Sequence, residues 1–135
     1  MADLTINAAN VGIKGNTGQV RIVQVGEVVT KGQIARFDGT KYYRTQADSA
    51  SNATIAGVFL SSASTDGYAV LLSGAAKLNP GATVTVGTVY VVSATAGGIA
   101  PESDLASGDF VAILGVGSAS DEITMNINNS GQAKP

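Results

Sequence analysis

The sequence has no cysteine, no histidine and no tryptophan. Without cysteine there is no disulfide and no thiolate chemistry, and the redox compartment is left open. Without histidine the usual general base at neutral pH is missing. The two absences together remove zinc, iron and copper sites built from imidazole or thiolate. Charge is also scarce: 13% of residues are Asp, Glu, Lys or Arg, against 44% hydrophobic, with a mean hydropathy of +0.22. A small soluble domain normally carries about a quarter charged residues. Two readings stay open: much of the surface faces another protein or another copy of the chain, or a Ser/Thr/Asn/Gly surface replaces charge. No apolar run approaches the ~20 residues that span a membrane. The start, Met1-Ala2-Asp3-Leu4-Thr5, has neither a positive region nor an apolar stretch of the secretory kind, so synthesis in the cytoplasm is expected.

The few charges are unevenly placed. Lys14, Arg21, Lys31, Arg36, Lys41 and Arg44 stand against only Glu27 and Asp38 between positions 14 and 44. From Leu78 to Ala133 there is no Lys or Arg, but Glu102, Asp104, Asp109, Asp121 and Glu122 are present. Such asymmetry suits head-to-tail contacts or docking of a basic base on an acidic shell, and equally suits drift between duplicated halves. The basic residues are interspersed in strands rather than clustered, and the isoelectric point is near 4.8. No nucleic-acid partner is expected from that pattern.

What is present is short apolar runs punctuated by turns. Residues 19–25, 28–30, 33–37, 41–45, 53–60, 68–72, 75–78, 83–92, 110–116 and 123–128 read as strands, with a bulge expected at Val23. Asp38-Gly39 is the strongest hairpin signal and Asn79-Pro80-Gly81 a second turn. No window carries helical periodicity. The expectation is an all-β fold: a compact β-barrel or sandwich of about ten short strands. Residues 1–17 read as an extended N-terminal arm, residues 18–128 as the β domain and residues 129–135 as a polar tail.

The β domain reads as two degenerate repeats, 18–73 and 74–128. Val29-Thr30-x-Gly32-x-Ile34 matches Val84-Thr85-x-Gly87-x-Val89 at an offset of 84 − 29 = 55. Ile55-Ala56-Gly57-Val58 matches Ile113-Leu114-Gly115-Val116 at 113 − 55 = 58. Tyr68-x-Val70-x-Leu72 matches Ile123-x-Met125-x-Ile127, again at 55.

Chemistry-bearing motifs are thin. Glu102/Asp104 and Asp121/Glu122 are carboxylate pairs in turn-like sequence, where solvated loop charges are the better reading than a cleft pair. No Asp-x-Asp-x-Asp-Gly calcium loop occurs. Gly115-Val116-Gly117 follows a strand but opens into Ser118-Ala119-Ser120-Asp121, not a phosphate-cradling helix. The run from Val25 to Ile34 resembles the hammerhead turn of biotinyl and lipoyl carrier modules. Neither Met1 nor Met125 has the adjacent acceptor lysine of such modules, and Lys41 and Lys77 sit in other contexts. No enzyme activity and no cofactor is expected.

One resemblance covers most of residues 18–128. Gly81 to Val92, the Gly97-Gly98 turn, Asp109 to Gly117 with its Leu-Gly-Val-Gly ending, and the alternating Ile123 to Asn128 resemble the small head decoration (cement) proteins of tailed bacteriophages. A looser echo runs from Gly26 to Leu72. The resemblance implies a β-barrel-like virion protein without catalytic residues. It implies a homo-oligomer, with a trimer favoured, on the outer capsid surface, with the major capsid protein as partner and neither nucleic acid nor membrane. The shell it reinforces is the expanded one, held against internal DNA pressure. Strand addition by the arm would use Leu4, Ile6, Val11 and Ile13. Lys14, Arg21, Arg36, Lys41 and Arg44 would face an acidic shell. The alternative is a phage tail-fibre or receptor-binding β module, which would need aromatic residues on an exposed face; Tyr42, Tyr43, Tyr68 and Tyr90 are the tyrosines available.

Overall fold

A computed structural model describes residues 3–15 and 17–135. The fold is all-β, with eleven strands in two antiparallel sheets. In chain order they are β1 Val11–Ile13, β2 Gln19–Gln24, β3 Ile34–Phe37, β4 Tyr42–Arg44, β5 Gly57–Phe59 and β6 Tyr68–Ser73, then β7 Lys77–Pro80, β8 Val89–Val92, β9 Ile99–Pro101, β10 Phe110–Ala119 and β11 Glu122–Ala133. Two single 3-10 turns, Ala8–Asn10 and Glu102–Asp104, are the only helical pieces among the described residues.

The first sheet runs β2-β6-β5-β3-β4. The second runs β7-β11-β10-β8-β9, with β1 added outside β7. Strip β1 away and the two orders are the same. The registers agree as well. Ile34 pairs with Val58 and Ala35 with Gly57; at offsets of 55 and 58, Val89 pairs with Val116 and Tyr90 with Gly115. The turns that lead into β3 and β8 also match. Gln33 N–H donates to Thr30 O at 3.1 Å, and Thr88 N–H to Thr85 O at 3.2 Å. Gly32 and Gly87 carry φ of +97° and +85°, which a β-carbon would strain.

The third sequence match is out of step. Opposite Val58 and Phe59 stand Leu72 and Leu71, while opposite Val116 and Gly117 stand Thr124 and Ile123. Leu71, not Tyr68, therefore occupies the place of Ile123, an offset of 123 − 71 = 52. The shift is three residues, an odd number, so it exchanges the faces of the strand.

The first sheet closes on itself. Val25 pairs in parallel with Tyr42, and Gly26 N–H donates to Tyr42 O at 2.9 Å. Val23, Val25, Val29, Ala35, Tyr42, Phe59, Ala69 and Leu71 fill the interior so formed. The opposite face of the same sheet supplies Ile34, Val58 and Leu72 to a larger core shared with the second sheet, where Leu78, Tyr90, Val91, Ile99, Leu114, Ile123 and Met125 are buried. Asn129 ties the two sheets by a side chain: its Oδ1 accepts from Ile55 N–H at 2.8 Å and its Nδ2 donates to Ile55 O at 3.2 Å.

Several expectations are corrected. Residues 3–15 do not stand out as an arm. Leu4 N–H donates to Ile99 O, Asn7 N–H to Gly81 O, and β1 pairs with β7 along Val11↔Pro80 and Ile13↔Leu78. Burying Val11 and packing Leu4, Ile6 and Ile13 on the shared core favours folding back over extension. Met1, Ala2 and Asn16 lie outside the described residues. The polar tail is strand as far as Ala133, because Val111 and Phe110 of β10 pair with Gln132 and Ala133. β2 has no bulge: its pairing with β6 is unbroken from Gln19↔Ser73 to Gln24↔Tyr68. Residues 83–86 are loop and turn rather than strand, because the Thr85–Thr88 hydrogen bond folds the chain there. Asn79 and Pro80 end β7 instead of turning.

Candidate interaction surface

Directly opposed residues of an antiparallel pair share a face. Val20 opposes Leu72 and Ile22 opposes Val70, so these four, with Tyr68, lie on the core-facing side of the first sheet. Leu72 is fully buried under the second sheet. The apolar face does not stop there. It continues across β6 to β2, where Val20 is 52%, Ile22 73% and Tyr68 66% exposed. Around this corner stand Gln19, Gln24 and Ser73, and the apolar residues on it carry no charged neighbour on their own strands' shared face. Arg21 projects from the other face of β2, where its Nη2 donates to Tyr42 Oη at 2.8 Å.

The backbone edge of β2 is the second element of the surface. β2 ends its sheet, and its first four residues are exposed on both faces. Its counterpart by strand order is β7, whose outer edge is covered by β1. No described strand covers β2 along residues 19–23; at its C-terminal end β4 closes on it, with Val25 paired to Tyr42. A strand with an apolar face and an uncovered stretch of edge can pair with another chain.

The residues proposed from sequence fall in different places. Leu4, Ile6, Val11 and Ile13 pack against the protein's own core. Lys14 donates from Nζ to Asp121 Oδ1 at 2.6 Å, with Glu122 at 3.8 Å, binding the N-terminal segment to the β10–β11 turn. That hydrogen bond raises the Lys14 ammonium above its ordinary value and holds the Asp121 carboxyl below its own. Lys41 pairs with Asp66, which raises its pKa. Arg44 grips Glu27 through both its backbone N–H (2.8 Å) and its Nη2 (3.0 Å). Partial burial pushes the Glu27 carboxyl up, but the Arg44 bonds and charge outweigh it and leave Glu27 below the ordinary carboxylate value. Arg36 lies over the Tyr43 ring at 5.0 Å and donates from Nε to Arg44 O at 3.2 Å. Arg21, Arg36, Lys41 and Arg44 thus belong to one sheet, mostly around β4, while Lys14 belongs to the other. Three of the five are neutralised by internal carboxylates. The acidic second half is answered in the same way, by Lys14 and by Lys134 with Glu102 at 3.6 Å.

Two shallow clefts offer little chemistry. One, of about 290 Å³, lies between residues 3–8 and the turns at 30–33 and 95–98, and its only carboxylate, Asp3, accepts a hydrogen bond from Ser93 Oγ at 2.6 Å. The other, of about 490 Å³, is open and lined by Thr5, Asn10, Asn79, Thr83, Ser120 and Asp121. Among the described residues no three carboxylates come together as a metal site would require. Tyr42 and Tyr90 are buried and Tyr43 half-buried, so Tyr68 is the tyrosine left exposed.

Sequence reasoning missed Val20, Ile22 and Tyr68. The period-2 pattern pointed Val20 and Ile22 inward, and the slip at Val23 was the signal that the buried set is Val23 and Val25 instead. In comparison with known proteins, no family model and no curated sequence matches this chain.

Proposed function

We propose that the protein is a structural component of a phage virion, a head decoration protein that binds the outer capsid surface and reinforces the expanded shell. The resemblance of Gly81 to Val92, Asp109 to Gly117 and Ile123 to Asn128 to such proteins motivates the reading. The structural observation that supports it is the uncharged apolar corner of Val20, Ile22 and Tyr68 beside an uncovered strand edge. A surface of that kind fits another protein rather than a small molecule, which would need a concave site with convergent polar groups.

The folded-back N-terminal segment changes how such a protein would hold a shell. Leu4, Ile6, Val11 and Ile13 already bond and pack within the chain, so donating them as a strand would uncover β7. Arg21 and Arg36 are the cations of the proposed set that have no carboxylate in an ion pair among the described residues, and they are the better contacts for an acidic capsid protein. Co-sedimentation with expanded and unexpanded heads tests the proposal. Binding to expanded heads, reduced in an Arg21→Ala, Arg36→Ala double variant, is expected. Binding to neither form of head would overturn it.

A further inference from the structure

The two halves meet tip to base. The tip of the β8–β9 hairpin, residues 93–98, lies on the base of the β3–β4 hairpin, where β3 begins and β4 ends. Gly97 carries the contact: its carbonyl accepts from Ile34 N–H at 3.0 Å, and its N–H donates to Thr45 O at 2.7 Å. Ser93 O accepts from Ala47 N–H at 3.0 Å, and Ala94 O from Gln46 Nε2 at 2.9 Å. Beside these bonds the seam is apolar. Val92 of the second half, with Ile34 and Val58 of the first, is fully buried in the shared core. The halves share strand order, so a contact of tip on base has a direction, and it leaves one tip and one base over. The unused tip is the β3–β4 turn, residues 38–41; the unused base is the start of β8 with the end of β9.

We propose that the unused tip of one copy docks on the unused base of the next, so that copies of this chain associate head to tail and repeat the seam between the halves. The inference goes beyond the capsid reading and does not depend on it. Two observations select a second copy as the occupant. First, the seam residues have apolar counterparts at both outer ends, and these differ only in lacking cover. Phe37 stands in the place of Val92 (92 − 37 = 55) and is 50% exposed. Val116 stands in the place of Val58 and is 41% exposed, with a half-buried Val89 in the place of Ile34. The surface that covers Val58 within the chain is thus carried again, uncovered, by the first half of every other copy. Second, the two ends differ in charge. Arg36 stands at the tip where the second half has Val91. Glu102 and Asp104 stand at the base where, at an offset of 99 − 42 = 57, the first half has Thr45 and Ala47. Asp38 in the tip is taken up by its own turn, accepting from Thr40 and Lys41 N–H at 2.8 Å. A basic tip and an acidic base favour the head-to-tail order and oppose tip on tip or base on base. Thr124 takes the place of Leu72, so the outer contact is less apolar than the seam and separates on dilution. A repeated contact of unlike surfaces closes into a ring or runs on as a filament, according to the rotation between copies.

The absence of cysteine makes the test clean. Phe37→Cys and Val116→Cys each place the only thiol of a chain at one outer end. Wild-type protein in concentrated solution is expected to scatter light as a multiple of the 13.5 kDa chain mass. With a short thiol cross-linker, a mixture of the two variants is expected to give several-fold more covalent dimer than either variant alone, because unlike ends meet. Val116→Lys, which sets a cation at the base opposite the basic tip, is expected to lower the mass to that of one chain. Its circular dichroism spectrum should be unchanged, since Val116 lies at the surface. Ile22→Lys, at the apolar corner on β2, is expected to keep the wild-type mass. A monomeric wild-type chain, or as much cross-linking within one variant as in the mixture, would overturn the proposal. So would a folded Val116→Lys chain that still associates, or loss of association in Ile22→Lys.

Discussion

The two halves of the molecule solve the same closure with different pieces of chain. In the first, the strand after β2 bends over and Gly26 N–H reaches Tyr42 O. In the second, the residue in Tyr42's place is Ile99, and its carbonyl accepts from Leu4, near the start of the chain. The interiors differ in a related way. Ala35 and Phe59 lie inside the first half; the positions matching them in register are Tyr90 and Gly117. A small residue beside a large one has become a large residue beside a small one. A β-carbon on Gly117 would stand 2.7 Å from Val84 Cγ1 and 2.3 Å from Thr85 O, so the space that holds Phe59 in one half is already occupied in the other. The halves share backbone pairing and not the residue at each position, and at this place the large side chain has changed strands.

Truncating the large partner in each half should cost most. Phe59→Ala and Tyr90→Ala are each expected to lower unfolding stability by about 3–5 kcal/mol, measured by urea denaturation. A small loss in either would mean that the volume exchange is not what supports that half. Next come Gly57→Ala and Gly115→Ala. A β-carbon at either would meet a backbone oxygen, Leu72 O or Thr124 O, at 2.2 Å. Both are expected to lose about 1–3 kcal/mol, and nearly equally. Unequal losses would break the equivalence of the two hairpins. The smallest effect is electrostatic and confined to the first half. Glu27 is held below its ordinary value of 4.5, so the stability from its bonds to Arg44 is complete above that pH and lost as the pH falls through the lowered value. Glu27→Gln should flatten the acid limb of a thermal-stability profile; an unchanged limb would remove this pair from acid unfolding.

The sequence displayed local pairing well and closure badly. Asp38-Gly39 announced the β3–β4 hairpin, and the alternation from Ile123 to Asn128 announced a half-buried strand, because turn chemistry and period-2 burial are written within a few residues. β2 was legible as a strand but not by face. Both of its alternating sets contain apolar residues, and only the parallel contact of Val25 with Tyr42, 17 residues on, settles which set is inside. The fate of Leu4, Ile6, Val11 and Ile13 had no local signal at all, since their partners lie near positions 78–99. The exposed corner was hidden for the same reason: Val20 and Ile22 look like core until the extent of the second sheet is known.

The docking of β1 on β7 also sets an order of events during synthesis. Ile13 pairs with Leu78, so its partner is translated 78 − 13 = 65 residues later. At about 5–20 residues per second that is a wait of roughly 3–13 s. Residues 19–73 hold every strand of the first sheet and can form its hydrogen bonds within that interval. At that stage residues 3–13 have the first-half surface near Gly32 within reach but not yet their strand partner β7. The pairing of β1 with β7 can therefore form only after every strand of the first sheet has been made, so the contact that joins the N-terminal segment to the second sheet is a late one.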